Sequence, residues 1–452
     1  MGVSDTMGTL DRRQFLTSVV AGAVGVASWP EALFAPDTRP NLLFILADDL
    51  GYGDLSAFGR PDYRTPNIDR LVADGVRFTN AYAAASTCTP TRVAFMTGRY
   101  PQRLSADLQR PMPWSRPGEE KLKFGLPAEH PTVASLLKNA SYHTSLIGKW
   151  HLGFLPENGP IRHGFDEFFG IRGAGADYFT HTTRYGERDL WEGEVPAERI
   201  GYLTDLLTER AVELVNRKHE RPFYLSLHYT APHWPWEGPA DKHGAEPRHP
   251  FSEGGSKQVF AEMVRSLDAG VGRVLSALRR AKLERDTLVI FTSDNGGERY
   301  SLNAPWSNGK FTLWEGGIRV PLIMRWPARL PRGGTATQLT ISMDWAATLL
   351  AAAGASPDPG YPLDGIDLTP FARRKRTPVD RQLFWRQPYP DQTPHAATRR
   401  GKWKYLRVGD QEYLFDVTSD PGEKVNLKAK LPEVFARLRE QWRAWDAQMV
   451  AT

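Results

Sequence analysis

The sequence predicts an α/β protein: a large, mostly parallel or mixed sheet sandwiched by helices, followed by a small C-terminal α+β subdomain. Two patterns predict it. Apolar runs of strand length alternate with amphipathic segments of helix length, as in strands joined by crossover helices. Beyond about residue 370 this alternation gives way to short, closely spaced strands and one last helix. At 452 residues the chain is long enough for one large domain with a smaller companion.

The first element is not part of the fold. Arg12-Arg13-Gln14-Phe15-Leu16 precedes a modestly apolar, Ala- and Gly-rich stretch from Val19 to Trp29, too short and weak to span a membrane. Paired arginines before Phe-Leu resemble a twin-arginine signal, so 1–35 is expected to be an export signal and 39–370 and 371–452 the two folded parts. That implies the twin-arginine machinery as a partner and a periplasmic or secreted bacterial protein without stable membrane insertion.

The folded chain opens with Asn41-Leu42-Leu43-Phe44-Ile45-Leu46-Ala47, a continuous apolar run suited to a strand buried on both faces. It ends in Asp48-Asp49, adjacent carboxylates that need a cation or donors to neutralise them. Thr65-Pro66-Asn67-Ile68 opens a helix that stops at Gly75. Cys88-Thr89-Pro90-Thr91-Arg92 then reads as a helix start, with Thr89 as N-cap and Pro90 in the first position. Such a start suits an anion, and Arg92 adds a fixed positive fork.

The pattern repeats down the chain. Pro131 to Ala140 reads as a helix, and His143 to Ile147 as a strand ending in Gly148-Lys149-Trp150-His151. Tyr202 to His219 is an amphipathic helix, and Phe223 to Leu227 a strand leading to Ala231-Pro232-His233-Trp234. Ser256 to Leu283 is a long helix with Val259, Met263, Leu267, Val274 and Leu278 on one face. Thr287 to Thr292 is a strand ending in Ser293-Asp294-Asn295-Gly296-Gly297, followed by strand-like Arg319 to Trp326. In the C-terminal part, Lys402–Leu406 and Glu412–Phe415 predict a hairpin, and Pro432 to Met449 a helix.

Composition narrows the function. The 57 basic residues nearly balance 52 acidic ones, which argues against nucleic-acid binding. A single cysteine excludes disulfides and cysteine-rich metal sites. Arg373-Arg374-Lys375-Arg376 reads as an exposed connection.

Asp48, Asp49, Lys149, His151, His233, Asp294 and Asn295 each fall just past a strand's carboxyl end, where α/β sheets bind ligands. Asp48, Asp49, Asp294 and Asn295 offer hard oxygen ligands, which suit calcium, or magnesium as the stricter alternative. With Arg92, Lys149, Lys310, His151 and His233 they describe a site for a tetrahedral oxyanion, such as a sulfate or phosphate ester.

At this point the sequence resembles a known family. Cys88-Thr89-Pro90-Thr91-Arg92 with Gly98-Arg99 is similar to the Cys-x-Pro-x-Arg signature of the type I sulfatases. Gly148 to Gly153 resembles their second signature, Ala231-Pro232-His233 their histidine loop, and Asp294-Asn295-Gly296 the second metal pair. Gly309-Lys310 and Glu315 to Pro321 resemble the last catalytic segment. The resemblance covers nearly all of the mature chain. It implies an alkaline phosphatase-like fold and sulfate ester hydrolysis, with Cys88 oxidised to formylglycine by a separate formylglycine-generating enzyme.

It further implies that Asp48, Asp49, Asp294 and Asn295 bind calcium together with residue 88. One hydroxyl of the hydrated aldehyde would attack sulfur, and the other would lose its proton to His151. Arg92 and Lys149 would hold the diol and the developing charge, while His233 and Lys310 assist the leaving oxygen. Some members carry a serine in the loop after the second signature; none can be matched in Gly173 to His181, where Asp177 and His181 stand as candidate substrate contacts.

Trp191, Trp234, Trp236, Trp306 and Trp314 are candidate aromatic surfaces for a sugar, so a sulfated carbohydrate is expected before an aryl sulfate. The rival readings are a phosphate or phosphonate ester hydrolase on the same scaffold and an inactive sugar-binding relative.

Overall fold

A computed structural model describes residues 39–112, 124–154, 158–241, 251–388 and 393–451. The expected signal at 1–35 lies outside the described residues.

The opening run forms the strand Asn41–Ala47, buried from Leu42 onward. Its alternate side chains feed two cores. Leu43 and Ile45 join the core under the helices Pro66–Asp74, Leu203–Asn216 and Lys257–Arg280. Leu42, Phe44 and Leu46 join the core under Cys88–Thr97, Val133–Asn139 and Met343–Ala353. A strand covered on both faces has no side to leave polar, and each such side chain contributes about 1.5–3 kcal/mol by burial.

Among the described residues the large sheet has ten strands. Its centre runs, in spatial order, Leu322–Arg325, Thr287–Ser293, Asn41–Ala47, Phe223–His228, His143–Gly148 and Glu167–Gly170. Neighbours pair in parallel except Leu322–Arg325, which runs antiparallel to Thr287–Ser293 and makes the sheet mixed. Register aligns the strand ends: Ala47 lies opposite Ser293, and Leu46 and Gly148 both lie opposite His228. Asp48, Asp294, Lys149 and Tyr229 are therefore carried off the sheet at one level.

Four expectations change. The helix begins at Cys88 with Thr87 as its N-cap, not at Pro90 with Thr89 as its N-cap, and Pro90 falls inside its first turn, where backbone N–H groups have no helical partner anyway. Thr89 instead accepts a bond from Met112 N at 2.9 Å. Arg319 to Trp326 divides into the turn after a short helix, Glu315–Ile318, and the strand Leu322–Arg325. The C-terminal hairpin is half of a four-stranded antiparallel sheet that also holds Gln382–Gln387 and His395–Arg400.

The helix Pro432–Asp446 packs on this sheet through Leu438, Trp442 and Trp445. Residues from Arg39 onward form one contact unit. Among the described residues no helix is long and apolar enough to cross a membrane.

Candidate active site

Gly148 is the position that lets the strand ends converge. Its φ is +115°, and a Cβ there would sit 1.8 Å from His228 O, so only glycine brings Lys149 this close to the neighbouring strand. Lys149 N then donates to His228 O at 2.9 Å.

Cys88, 4% exposed, begins its helix beside both aspartates. Its thiol donates to Asp48 Oδ1 at 3.3 Å and lies 3.9 Å from Asp49 Oδ1. Burial, then Asp294 and Asp48, push the thiol well above its ordinary pKa. That is the reverse of the electropositive setting in which a cysteine becomes a thiolate nucleophile.

Each remaining cation is tied to a carboxylate. Arg92, fully buried, turns Nε and Nη2 to Asp294 Oδ2 at 3.1 and 2.9 Å and donates through Nη1 to Lys149 O at 2.9 Å. Lys149 Nζ pairs with Asp48 Oδ2. Lys310 Nζ pairs with Asp49 Oδ2 at 2.5 Å, and although burial alone would lower its pKa, Asp49 raises it. Burial, with Asp294 alongside, lifts Asp48 to about 7.

The two histidines differ in how they are held. His233 Nδ1 is 2.6 Å from Trp234 O, which makes Nδ1 the protonated nitrogen and leaves Nε2 pointing at Asp49 Oδ2, 3.6 Å away. His151 is 2% exposed, and among the described residues both its ring nitrogens lack a hydrogen-bond partner. Burial first, then Lys149, lowers both histidines well below the usual range, so both rings are neutral and able to accept a proton.

The oxygen set fits a hard cation. Ligand atoms of Asp48, Asp49, Cys88 and His233 all lie within 4.8 Å of one another. Asn295 Nδ2 donates to Asp49 Oδ1 at 2.7 Å, while Asn295 Oδ1 is a buried acceptor without a partner, the condition a cation relieves. Asp294 stands at the edge of this group, with Oδ1 accepting from Asp49 N at 3.2 Å and Oδ2 held by Arg92.

The other expected residues divide. Asp177 lies in the loop facing His233, but its Oδ1 accepts from the N–H groups of Phe179 and Thr180 at 3.0 and 2.8 Å, so it shapes the loop. His181 turns Nε2 to Gly201 O at 3.0 Å, away from the Cys88 group. Of the tryptophans, Trp234 stacks on His233 at 4.6 Å, Trp236 is buried, and Trp314 packs against Tyr413 and Phe415 of the C-terminal sheet.

Sequence reasoning missed His228. His228 Nδ1 lies 3.0 Å from Lys149 O, and its Nε2 is 2.8 Å from Ser226 Oγ, so it braces the carbonyl that Arg92 also holds. Burial, with Arg92 beside it, lowers it to about 3. Its one signal was its position as the last residue of a core strand.

The C-terminal sheet supports the Lys310 segment directly. Lys404 Nζ, fully buried, pairs with Glu315 Oε1 at 3.1 Å and Glu423 Oε1 at 2.8 Å. Glu423 Oε2 accepts from Glu315 N at 2.7 Å and Ser307 Oγ at 2.8 Å. Gln387 Nε2 donates to Phe311 O at 2.5 Å.

Comparison with known proteins bears on this arrangement. The sulfatase family model matches residues 40–355, and the N-sulphoglucosamine sulphohydrolase C-terminal model matches 306–448. N-acetylgalactosamine-6-sulfatase of Sus scrofa is 33% identical over 98% of this chain and 86% of its own length. Arylsulfatase A of Homo sapiens is 32% identical over 89% of this chain and 86% of its own. The crystal structure of Ps i-CgsB in complex with k-i-k-neocarrahexaose superposes with a TM-score of 0.81 at 30% identity, covering 91% of this chain and 93% of that one. The fold is the alkaline phosphatase-like one that the resemblance implied. The chain belongs to the type I sulfatase family and is a sulfatase.

Proposed function

We propose that this sulfatase hydrolyses the sulfate ester of a sulfated carbohydrate, using formylglycine made from Cys88 and a calcium ion. One observation carries the reading. Arg92, Lys149, His151, His233 and Lys310, from four segments of the chain, gather with three aspartates and Asn295 around a single buried cysteine. The carbohydrate is supported by likeness to N-acetylgalactosamine-6-sulfatase and to a structure solved with neocarrahexaose bound.

Asp48, Asp49, Asp294 and Asn295 would hold the cation, which supplies fixed positive charge toward sulfate oxygens. Formylglycine, if made from Cys88, would supply the oxygen nucleophile and the means of releasing sulfate from residue 88. The chain's own groups do the rest. Arg92, locked by Asp294 and Lys149 O, fixes its guanidinium beside residue 88. Lys149 meets the negative charge that builds on the sulfate oxygens. Lys310 and His233 converge on the same oxygen of Asp49 and so face one point, suited to the departing alcohol oxygen. His151, neutral and with both nitrogens open, takes the proton whose loss releases sulfate.

Residues 1–35 are read as a twin-arginine export signal, 39–370 as the catalytic domain and 371–452 as the C-terminal subdomain. Protein matured by a formylglycine-generating enzyme would then act in the periplasm or outside the cell.

The test is the intact mass of the Cys88 peptide from active protein, together with rates on sulfate and phosphate esters of one alcohol. Conversion to formylglycine lowers the mass by roughly 18 Da. A plain thiol in active protein would overturn the mechanism, and preference for the phosphate ester would replace the substrate class. A plain thiol in protein that binds sugar without turnover would favour the inactive relative.

A further inference from the structure

Arg172 stands two residues past the strand Glu167–Gly170, at the same sheet edge as the catalytic group. Its carbonyl accepts from His151 N at 3.1 Å. The loop it opens runs on to His233, where a Cβ on Gly175 would lie 3.2 Å from the ring and Tyr178 donates its hydroxyl to His233 O at 2.9 Å. The backbone of Arg172 thus starts the loop that links the two histidines.

Arg172 is only 3% exposed, and it makes no ion pair among the described residues. Its Nε and Nη2 are both buried without a hydrogen-bond partner among the described residues. These two atoms form the side-on fork that grips two oxygens of one anion, the fork Arg92 turns on Asp294. Asp189 does not fill it. Its carboxylate instead accepts from Arg172 N at 3.1 Å, Gly173 N at 2.8 Å and Trp191 Nε1 at 2.9 Å. Trp191 so anchored lies under the guanidinium at 3.4 Å, which fixes its plane. Burial, only partly offset by the charges of Asp189 and Glu194, lowers Arg172 to about 9. A buried cation with an empty fork is unfavourable unless something fills it. The ring nitrogens of His151 and Oδ1 of Asn295, which face substrate and cation in the proposed mechanism, are in the same unsatisfied state.

We propose that Arg172 is a substrate-recognition residue that receives a second anionic oxygen group, a carboxylate or a further sulfate, carried by the sugar beside the ester being cleaved. The proposal rests on the sulfated-carbohydrate reading above. Trp191 supplies the rigid platform and Asp189 holds the platform and the loop. Charge-assisted bonds of this kind change binding by about tenfold to a hundredfold.

The experiment compares wild type with Arg172→Ala and Arg172→Lys on 4-nitrophenyl sulfate, galactose 6-sulfate, galactose 4,6-disulfate and a 6-sulfated disaccharide bearing a uronic acid. Arg172→Ala is expected to lose about tenfold to a hundredfold in kcat/KM, mostly through KM, on whichever doubly anionic substrate wild type prefers. Rates on 4-nitrophenyl sulfate should stay within about threefold, and Arg172→Lys should recover part of the loss. The disulfate and uronate arms separate the two anion sources. Equal losses on all substrates would mean a structural role, and no loss on any would mean no role; either overturns the proposal. If wild type cleaves no sulfate ester, the sulfatase mechanism fails on its own. Calorimetric binding of the same sugars to Cys88→Ala, with and without Arg172→Ala, then decides Arg172 separately, and equal affinities would overturn it.

Discussion

Replacing Lys404 with methionine should destabilise the protein by about 3–5 kcal/mol, because it leaves two buried carboxylates facing each other. The ammonium is fully buried, 2.8 Å from Glu423 and 3.1 Å from Glu315. At an effective dielectric of about 20, each of these pairs is worth roughly 5–6 kcal/mol of attraction. Desolvation of the three ions offsets most of that in the native protein, several kcal/mol for each. Methionine keeps the volume but removes only the cation, so the carboxylates keep their desolvation and lose its compensation.

Arg319, 2.9 Å from Glu315, limits the damage on that side, so Glu423 should carry most of the cost. Urea denaturation followed by tryptophan fluorescence measures the loss. The double variant Lys404→Met with Glu423→Gln should recover at least about 1 kcal/mol, as expected for residues in contact. A loss below about 1 kcal/mol for Lys404→Met, or a double variant no better than the single, would refute the reasoning. Because Glu315 and Ser307 flank Lys310, sulfatase activity of Lys404→Met should also fall at temperatures where the protein is still folded.

Four further outcomes are expected. Arg92→Lys keeps the charge but loses the fork on Asp294 and the bond to Lys149 O, so kcat should drop by about 10²–10³-fold in steady-state assays. Gly148→Ala must open the backbone around His228 O and adopt a strained φ, which should lower stability by at least about 2–3 kcal/mol in the same urea assay. Dialysis against a calcium chelator should abolish turnover and added calcium should restore it, with the calcium needed rising steeply in Asp49→Asn. Glu167, held at about 2 by His143 and then Arg217 against an ordinary 4.5, stabilises the fold above pH 4.5, and that contribution fades as pH falls through about 2. Its side chain is 27% exposed, so solvent screening cuts the effect to about 1 kcal/mol. Glu167→Gln should show that loss by urea midpoint at pH 7 and a shrinking difference below pH 4.5.

Much of the site was legible before any fold was known. Asp48-Asp49, Lys149-Trp150-His151, Pro232-His233 and Asp294-Asn295 each end an apolar run, and a core strand must emerge at a sheet edge. The C-terminal sheet was half visible. Trp403–Val408 and Gln411–Asp416 flank a glycine turn, but His395-Ala396-Ala397-Thr398-Arg399-Arg400 has no apolar alternation, because its residues are buried by neighbours on both sides of the sheet and by the helix above. The helix start moved by two residues, and Thr89, in place of capping, found a partner at Met112, outside its own helix.

By itself the sequence determined which residues stand at strand ends, since apolar period, glycine turns and proline starts are local properties of the chain. Only the tertiary structure decided who meets whom. Arg92 finds Asp294 across 202 positions, Lys310 finds Asp49 across 261, and Lys404 lies buried between two glutamates. Arg172 finds no hydrogen-bond partner for Nε and Nη2 among the described residues. Such pairings depend on strand register and on which loops share an edge, and neither is encoded in any short window of sequence.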